Sequence, residues 1–395
     1  MPAEKRKRDF VVEKIKKSFE LFGFEPLETP ALEYASLLLG KYSEEADRLI
    51  YSFKDRGGRK VALKYDQTVP LARIAAQYQD KITKPFKRYQ VQPVWRAEKP
   101  QKGRFREFLQ CDIDTINTSN SLSDAEIIAC TINAAKNLGF KNIKMQINDR
   151  AIFKNLKSKY IAVIDKLPKI GKQEVIKELI QKGMGKKDAQ KIINSLEKEK
   201  PTPRLLTLFK RLNSLGLKEN TDFIFTPTLA RGLDYYTSTI FELVSSDYKN
   251  GSLGGGGRYD NLIGSFFKNK IVIPAVGFSF GLDRVIETME ELNLFPLKIK
   301  SSITQALIIV FNEEYLKNSL QAATFLRNNK INCEVYLNST APLNKQLKYA
   351  DKKSIPWTII IGPDEAKQNK VTLKNLKEKK QEKLSLEETV EKIKN

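Results

Sequence analysis

The sequence contains no histidine among its 395 residues. That absence excludes Ser-His-Asp triads, histidine-ligated zinc and any imidazole general base. Cysteine is scarce as well. Cys111, Cys130 and Cys333 are scattered, with no CxxC pair, which argues against a thiolate metal site or a disulfide framework and fits buried thiols in a reducing compartment. No apolar run approaches the roughly 18 residues that a membrane-spanning helix needs. The first ten residues, MPAEKRKRDF, lack the apolar centre of a secretory signal. The Lys5–Arg8 run reads either as a localisation patch or as a solvated arm. Together these absences point to a cytoplasmic protein with no membrane segment. No internal repeat is found.

What the chain has in excess is positive charge. It carries 69 basic and 47 acidic residues, a formal +22, with 41% apolar and 29% charged residues. The excess is uneven: residues 141–211 hold 19 basic and 7 acidic side chains, a net +12. A basic surface of that size suits a polyanion, and nucleic acid fits best, although a lysine-rich bias or simple solubility would look similar. The length allows two or three domains.

Apolar residues at Phe10, Val11, Ile15, Phe19 and Phe22 predict a helix over Asp9–Phe22, ended by Gly23. Glu25–Pro30 reads as extended, and Pro30 is expected to open a second helix through Ala31, Leu32 and Leu37–Leu39. Val61, Leu63 and Tyr65 alternate as a short strand. Asp66-Gln67-Thr68 then starts a helix with Pro70 in its first turn; Asp66 and Thr68 are either caps or ligand-facing groups. Asp124–Leu138 is an amphipathic helix closed by Gly139. Residues 151–215 are lysine-rich with helical periodicity and read as a helical insertion, broken at Pro168 and Gly171. Strands follow at Phe223–Leu229 and Tyr235–Val244, separated by a turn over Ala230–Asp234. Leu253–Gly264, LGGGGRYDNLIG, is either a loose hairpin tip or backbone that approaches a ligand closely. Ile271–Phe280 is an apolar strand and Gly281–Arg284 a helix start. Leu292–Ser302 reads as a linker. Beyond it, strands at Ala306–Phe311, Cys333–Leu337, Trp357–Ile361 and Val371–Leu376 alternate with helices at Glu313–Asn329, Leu343–Lys353 and Leu386–Lys394. This predicts a separate small α/β domain.

The most informative stretch is Val94–Asp114, VWRAEKPQKGRFREFLQCDID, read as two strands joined by a charged loop. Strand alternation puts Phe105, Leu109, Cys111 and Ile113 on one face, with Glu107 as a polar exception. Arg106, Gln110, Asp112 and Asp114 share the other face with Phe108. Alternation alone predicts an antiparallel sheet with that second face in water. Its composition argues otherwise. Guanidinium forks at Arg96, Arg104 and Arg106 suit phosphate, and short carboxylates suit N–H donors, so a ligand bearing both would fit.

These segments resemble the class II aminoacyl-tRNA synthetases, and within them the histidyl-tRNA synthetase family. The segment ending Pro30-Ala31-Leu32-Glu33 resembles the class motif that builds the dimer interface. VWRAEKPQKGRFREF resembles the second class motif, and GFSFGLDR the third. LARGLDYYTSTIFE and GGGGRYDNL single out the histidine enzymes. The Tyr65–Thr68 segment is similar to the eukaryotic and archaeal form. The resemblance implies an α+β catalytic domain over residues 1–299: an antiparallel sheet flanked by helices, with the insertion at 151–215 contacting tRNA. It implies an anticodon-binding α/β domain over 303–395.

It further implies an ATP-dependent histidine–tRNA ligase, a cytoplasmic homodimer that uses ATP with Mg²⁺ on the phosphates and takes histidine and tRNA(His). Arg96 and Arg284 would hold the ATP phosphates, and Glu98, Arg104 and Arg106 would contact adenine and phosphates. Asp66, Thr68 and Gln110 would bind the α-amino group. Asp114 and Tyr236 would read the imidazole, with Tyr235, Tyr259 and the Gly254–Gly257 loop lining the pocket. Arg231 would bridge the substrate carboxylate and the α-phosphate, making Arg231, Arg96 and Arg284 the catalytic set. No protein metal site is implied. Two non-catalytic relatives share this core: the regulatory subunit of ATP phosphoribosyltransferase, and a tRNA sensor. The first normally departs from the RGLDYY pattern and lacks the last domain.

Overall fold

The computed structural model describes all residues except 43, 100–104, 197, 232–234, 249–250, 269–270, 297–298, 300–301 and 395, and all side chains of those described except 44, 45 and 169. The chain forms two compact units, Pro2–Leu294 and Phe295–Asn395.

The first unit is built on an eight-stranded sheet. Its strands are β1 (Glu25–Pro26), β5 (Phe86–Trp95), β6 (Glu107–Ile116), β7 (Ile143–Asp149), β8 (Phe223–Phe225), β9 (Thr239–Ser245), β10 (Gly254–Arg258) and β11 (Ala275–Gly281), in the order β1-β5-β6-β11-β10-β9-β7-β8. The six central strands are antiparallel, and only β1 and β8, at the edges, pair in parallel. Three further strands, β2 (Leu32–Tyr34), β3 (Ser52–Lys54) and β4 (Lys60–Leu63), make a small separate sheet.

One face of the large sheet is apolar. Tyr89, Cys111, Ile113, Phe278, Phe280, Phe241 and Leu243 are all buried there. Helices α1 (Pro2–Leu21), α5 (Leu122–Asn137) and α10 (Leu282–Glu291) cover it. Val11, Ile15 and Phe19 are four apart and form one buried stripe of α1, and the Phe19 ring lies 5.9 Å from Tyr89 and 6.4 Å from Phe280. Gly23, at φ 73°, ends the helix where a side chain would be strained.

Helix α1 starts earlier than its apolar periodicity predicts. Residues 5–8 are helical rather than a solvated arm, and Lys7 and Arg8 pair with Glu290 and Asp283 of α10. Pro30 does not open a helix. Leu32–Tyr34 pairs with β4 instead, and only Ala35–Leu38 is helical. In the basic region, helices Ser158–Ile164, Leu167–Gln181 and Lys186–Leu196 share a core of their own around Val163, Val175, Leu179 and Ile193. The Leu167–Gln181 helix kinks at Gly171. The fourth helix, Pro203–Ser214, packs on α5.

The second unit carries a five-stranded sheet, ordered β13-β12-β14-β15-β16, from β12 (Ala306–Val310), β13 (Cys333–Val335), β14 (Trp357–Ile361), β15 (Val371–Asn375) and β16 (Lys380–Leu384). Helices Leu316–Asn328, Leu343–Lys352 and Leu386–Lys394 stand near their sequence expectations. β16 and the short helix Pro363–Gln368 carry no apolar alternation that would announce them.

Candidate active site

The second face of the large sheet is polar, and it is buried rather than in water. Gln90, Gln110, Asp112 and Asp114 are at most 8% exposed and Arg88 is fully covered. The expectation of a solvated face therefore fails. What covers it comes from elsewhere in the chain: Lys64 bonds Gln92 (2.9 Å) and Thr29, while Gln67 bonds the Gln110 carbonyl (2.9 Å).

Two rows of side chains across the strands define the site. In the first, strand register aligns Gln90, Asp112, Ser279, Gly255 and Glu242. Gln110, one step away, donates to Ser279 Oγ at 2.9 Å. The gap at Gly255 is filled by Arg231: a Cβ there would lie 2.5 Å from Arg231 Nη1, and Nη1 itself reaches Glu242 at 3.2 Å. Burial opposes the charge on Arg231, but Glu242, Tyr236, Asp165 and Tyr235 together more than offset it, and its pKa rises.

The second row aligns Arg88, Asp114, Gly277, Gly257 and Ile240. Here two adjacent glycines leave a hollow. A Cβ on Gly277 would come within 1.8 Å of Asp114 Oδ1, and one on Gly257 within 2.8 Å of the Tyr236 ring. The Tyr259 hydroxyl donates to Asp114, and Arg88 Nη2 stands 2.6 Å from its other oxygen. Burial pushes the Asp114 carboxyl up to about 6 and Asp112 to about 7, against the pull of Arg88 on both. The glycine run is thus a central strand, not a loose hairpin tip. Arg258, at its end, turns to the helical face, where it holds Asp124 at 2.6 Å together with Ser123 and the carbonyls of Thr118 and Asn120.

Asp66 closes one side. It accepts from Tyr42 (2.9 Å), the Val69 amide (3.0 Å) and Tyr235 (3.3 Å), so it caps α4 (Thr68–Gln77) and also faces the aromatic cluster. Burial raises its pKa. A carboxylate has about four lone-pair positions, so one acceptor site is left for a ligand. Thr68 begins α4 and is half-buried. Tyr235 meets Tyr236 and Tyr259 edge-on, at 5.0 and 6.1 Å between centroids.

Arg96 follows β5. Its guanidinium lies over the rings of Tyr65 (4.3 Å) and Phe108 (5.0 Å) and donates to the Tyr65 carbonyl. Arg106 is exposed and donates to the Glu98 carbonyl at 3.3 Å. Arg104 lies outside the described residues, as does most of the 230–234 turn. Arg284 stands in the first turn of α10 and donates to the Ser252 carbonyl at 3.3 Å. The arrangement sets half-buried arginines around a hollow lined with carboxylates and phenols, a layout suited to a small amino acid beside a polyphosphate.

Residues 1–285 match the family model described as Histidyl-tRNA synthetase, and residues 305–395 match that described as Anticodon binding domain. The chain belongs to the histidyl-tRNA synthetase family. Histidine--tRNA ligase of Cytophaga hutchinsonii is 38% identical, covering 99% of this chain and 97% of that protein. The same-named protein of Christiangramia forsetii is 37% identical over 97% and 94%. The crystal structure of histidyl-tRNA synthetase from Nostoc sp. PCC 7120 matches with a TM-score of 0.83 and 30% identity, covering 100% of this chain and 96% of that one. The α+β class II synthetase fold is therefore that of the family.

Sequence reasoning passed over Arg88, Tyr42, Glu242 and Ser279. Arg88 alone carried a signal: it is an arginine at the inward phase of an alternating run, FKRYQVQPVW.

Proposed function

We propose that the protein is an ATP-dependent aminoacyl-tRNA ligase that joins histidine to the 3′ end of tRNA(His). The observation that carries this is the second row: a buried carboxylate, Asp114, beside Tyr236 and Tyr259 over a pair of glycines. That hollow offers an acceptor to an imidazole N–H in a slot where any side chain on Gly277 would intrude. Asp66, Thr68 and Gln110 bind the α-amino group; an ammonium beside Asp66 would favour its ionised form. Tyr235 and Tyr259 line the pocket.

In activation, a substrate carboxylate oxygen attacks the α-phosphorus of ATP and pyrophosphate leaves. Arg231 bridges the carboxylate and the α-phosphate, and Arg96 and Arg284 hold the phosphates, where positioning and fixed positive charge lower the barrier. Glu98, Arg104 and Arg106 contact the nucleotide. Mg²⁺ arriving with ATP would supply further positive charge at the phosphates; among the described residues, no group of three or more acidic or thiol side chains forms a separate metal site. The tRNA terminal hydroxyl then attacks the acyl carbon and AMP leaves. Neither step needs an enzyme histidine, and a phosphate oxygen of the adenylate accepts the hydroxyl proton.

Residues 1–299 form the catalytic domain, residues 151–215 contact tRNA through their positive charge, and residues 303–395 read the anticodon. The small sheet supports a homodimer: Tyr34, Val61 and Phe53 align in one row, with Tyr34 51% and Phe53 48% exposed. No helix among the described residues is long and apolar enough to cross a membrane, and a cytoplasmic location follows from the role in translation. No observation favours a non-catalytic paralogue. The test is pyrophosphate exchange into ATP against each of the twenty amino acids: histidine alone should support it, and exchange with another amino acid, or none, refutes the reading.

A further inference from the structure

Arg88 is a charge in an expensive place. Its side chain is fully buried, Nε and Nη1 have no hydrogen-bond acceptor, and Nη2 meets Asp114 at 2.6 Å but off the N–H direction. Stability alone would favour an apolar side chain of this size at such a position. The site-facing row explains the arginine instead. Two buried carboxylates, Asp112 and Asp114, follow it on the neighbouring strand, and Asp112 Oδ1 and Gln90 Oε1 are also without partners. The charged and titratable groups facing Asp114 are Arg88 from β5, Asp112 from its own strand, Asp66 from the segment before α4, and the phenols of Tyr259 and Tyr236. Arg88 is the cation among them, standing against three acids.

We propose that Arg88 is the positioning residue of the ring-reading carboxylate, fixing the Asp114 oxygens from behind and keeping them available as acceptors for a substrate N–H. This rests on the reading of Asp114 given above. Arg88 touches no substrate; it acts through Asp114, while Asp112 competes for it. Burial and the Asp66 charge push Asp114 toward its neutral form, and Arg88 opposes them; Asp112 repels Asp114 and draws on the same arginine. A neutral carboxyl presents an O–H as well as an acceptor, and so discriminates less well for a ring N–H.

The test is the pH profile of kcat/KM for histidine in pyrophosphate exchange by the full-length protein. It is taken as the ratio of variant to wild type, so that the titration of the substrate imidazole cancels. With Arg88→Met, the acid limb should move to higher pH, and at pH values below that limb the histidine KM should rise about tenfold for each pKa unit of the move, with the KM for ATP unchanged. Arg88→Lys keeps the charge and should recover most of the profile. Asp112→Asn removes the competitor and should move the limb to lower pH. Equal losses at every pH, or equal changes in the KM of histidine and ATP, would make Arg88 merely structural and overturn the inference. Should Arg88→Met lack a cooperative unfolding transition, the other two variants decide: an acid limb unmoved by Asp112→Asn refutes the proposal. Absence of histidine-dependent exchange in the wild type would refute the proposed function instead, and an unchanged histidine KM in Asp114→Asn would refute the role of Asp114.

Discussion

Replacing Gly255 with alanine should separate chemistry from stability at the centre of the sheet. The new methyl group would lie 2.5–2.8 Å from the guanidinium atoms of Arg231, which are its three nearest neighbours. The end of an arginine side chain can swing away, so the backbone need not move. The structural cost is the Arg231–Glu242 pair at 3.2 Å, whose side chains are 22% and 24% exposed. A partly solvated pair of that kind is worth about 1 kcal/mol at most. The catalytic cost is larger. Loss of one preorganised donor to a developing oxyanion lowers kcat by roughly 10²–10³. Arg231→Ala sets that limit, and Gly255→Ala should fall between tenfold and it. Gly256 is the control. A Cβ there would lie 2.0 Å from the Gly277 carbonyl oxygen, a backbone clash that no rotamer relieves, so Gly256→Ala should lose stability first. Histidine-dependent pyrophosphate exchange and thermal unfolding measure the two effects. Full activity in Gly255→Ala alongside an impaired Arg231→Ala would show that the seat of the arginine on the glycine does not matter. Full activity in both would remove Arg231 from the mechanism.

Asp114→Asn should raise the histidine KM about 30- to 150-fold, the equivalent of the 2–3 kcal/mol a charged acceptor contributes to a buried N–H, and leave the KM for ATP unchanged; equal changes in both would make Asp114 structural. Because the Asp114 carboxyl is raised to about 6, its acceptor form is lost as pH falls through that value, so kcat/KM should drop on the acid side, also with an analogue whose ring stays neutral; a flat profile with that analogue contradicts the assignment. Arg258→Met leaves Asp124 buried without its cation and should cost about 3–5 kcal/mol in denaturant unfolding, a loss below 1 kcal/mol being the refuting result. Truncation after Leu294 should spare exchange but weaken tRNA charging, and charging by the full chain should fall steeply with salt as counterions are released; a truncated chain that charges normally would remove the second unit from tRNA binding.

The central hairpin was legible because β6 alternates from Leu109 to Asp114. It placed Gln110, Asp112 and Asp114 on one face without any knowledge of their neighbours. Alternation does not say what covers a face, however. Thr29, Lys64 and Gln67 lie 28 to 63 residues in sequence from the groups they bond, so burial of the polar face was out of reach, and with it the pairing of Arg88 to Asp114. The glycine run was ambiguous for a related reason. Residues without side chains carry no pattern, and only the flanking β9 and β11 show that Gly254–Gly257 is a strand. Pro30 misled because proline suits a helix start and an extended segment equally well. The resemblance to the synthetases supplied roles that spacing could not.

The strand order also sets a timetable for synthesis. β6 is an interior strand whose second neighbour, β11, lies about 160 residues further along the chain. At roughly 5–20 residues per second, the ribosome leaves that edge open for about ten to thirty seconds. An open edge invites pairing with other chains, and inward-pointing charge is a recognised defence. Asp112 and Asp114 sit on that edge. The acids that face the hollow in the finished sheet therefore also guard the nascent one, and a neutral variant at both positions should aggregate during expression even where the purified protein folds.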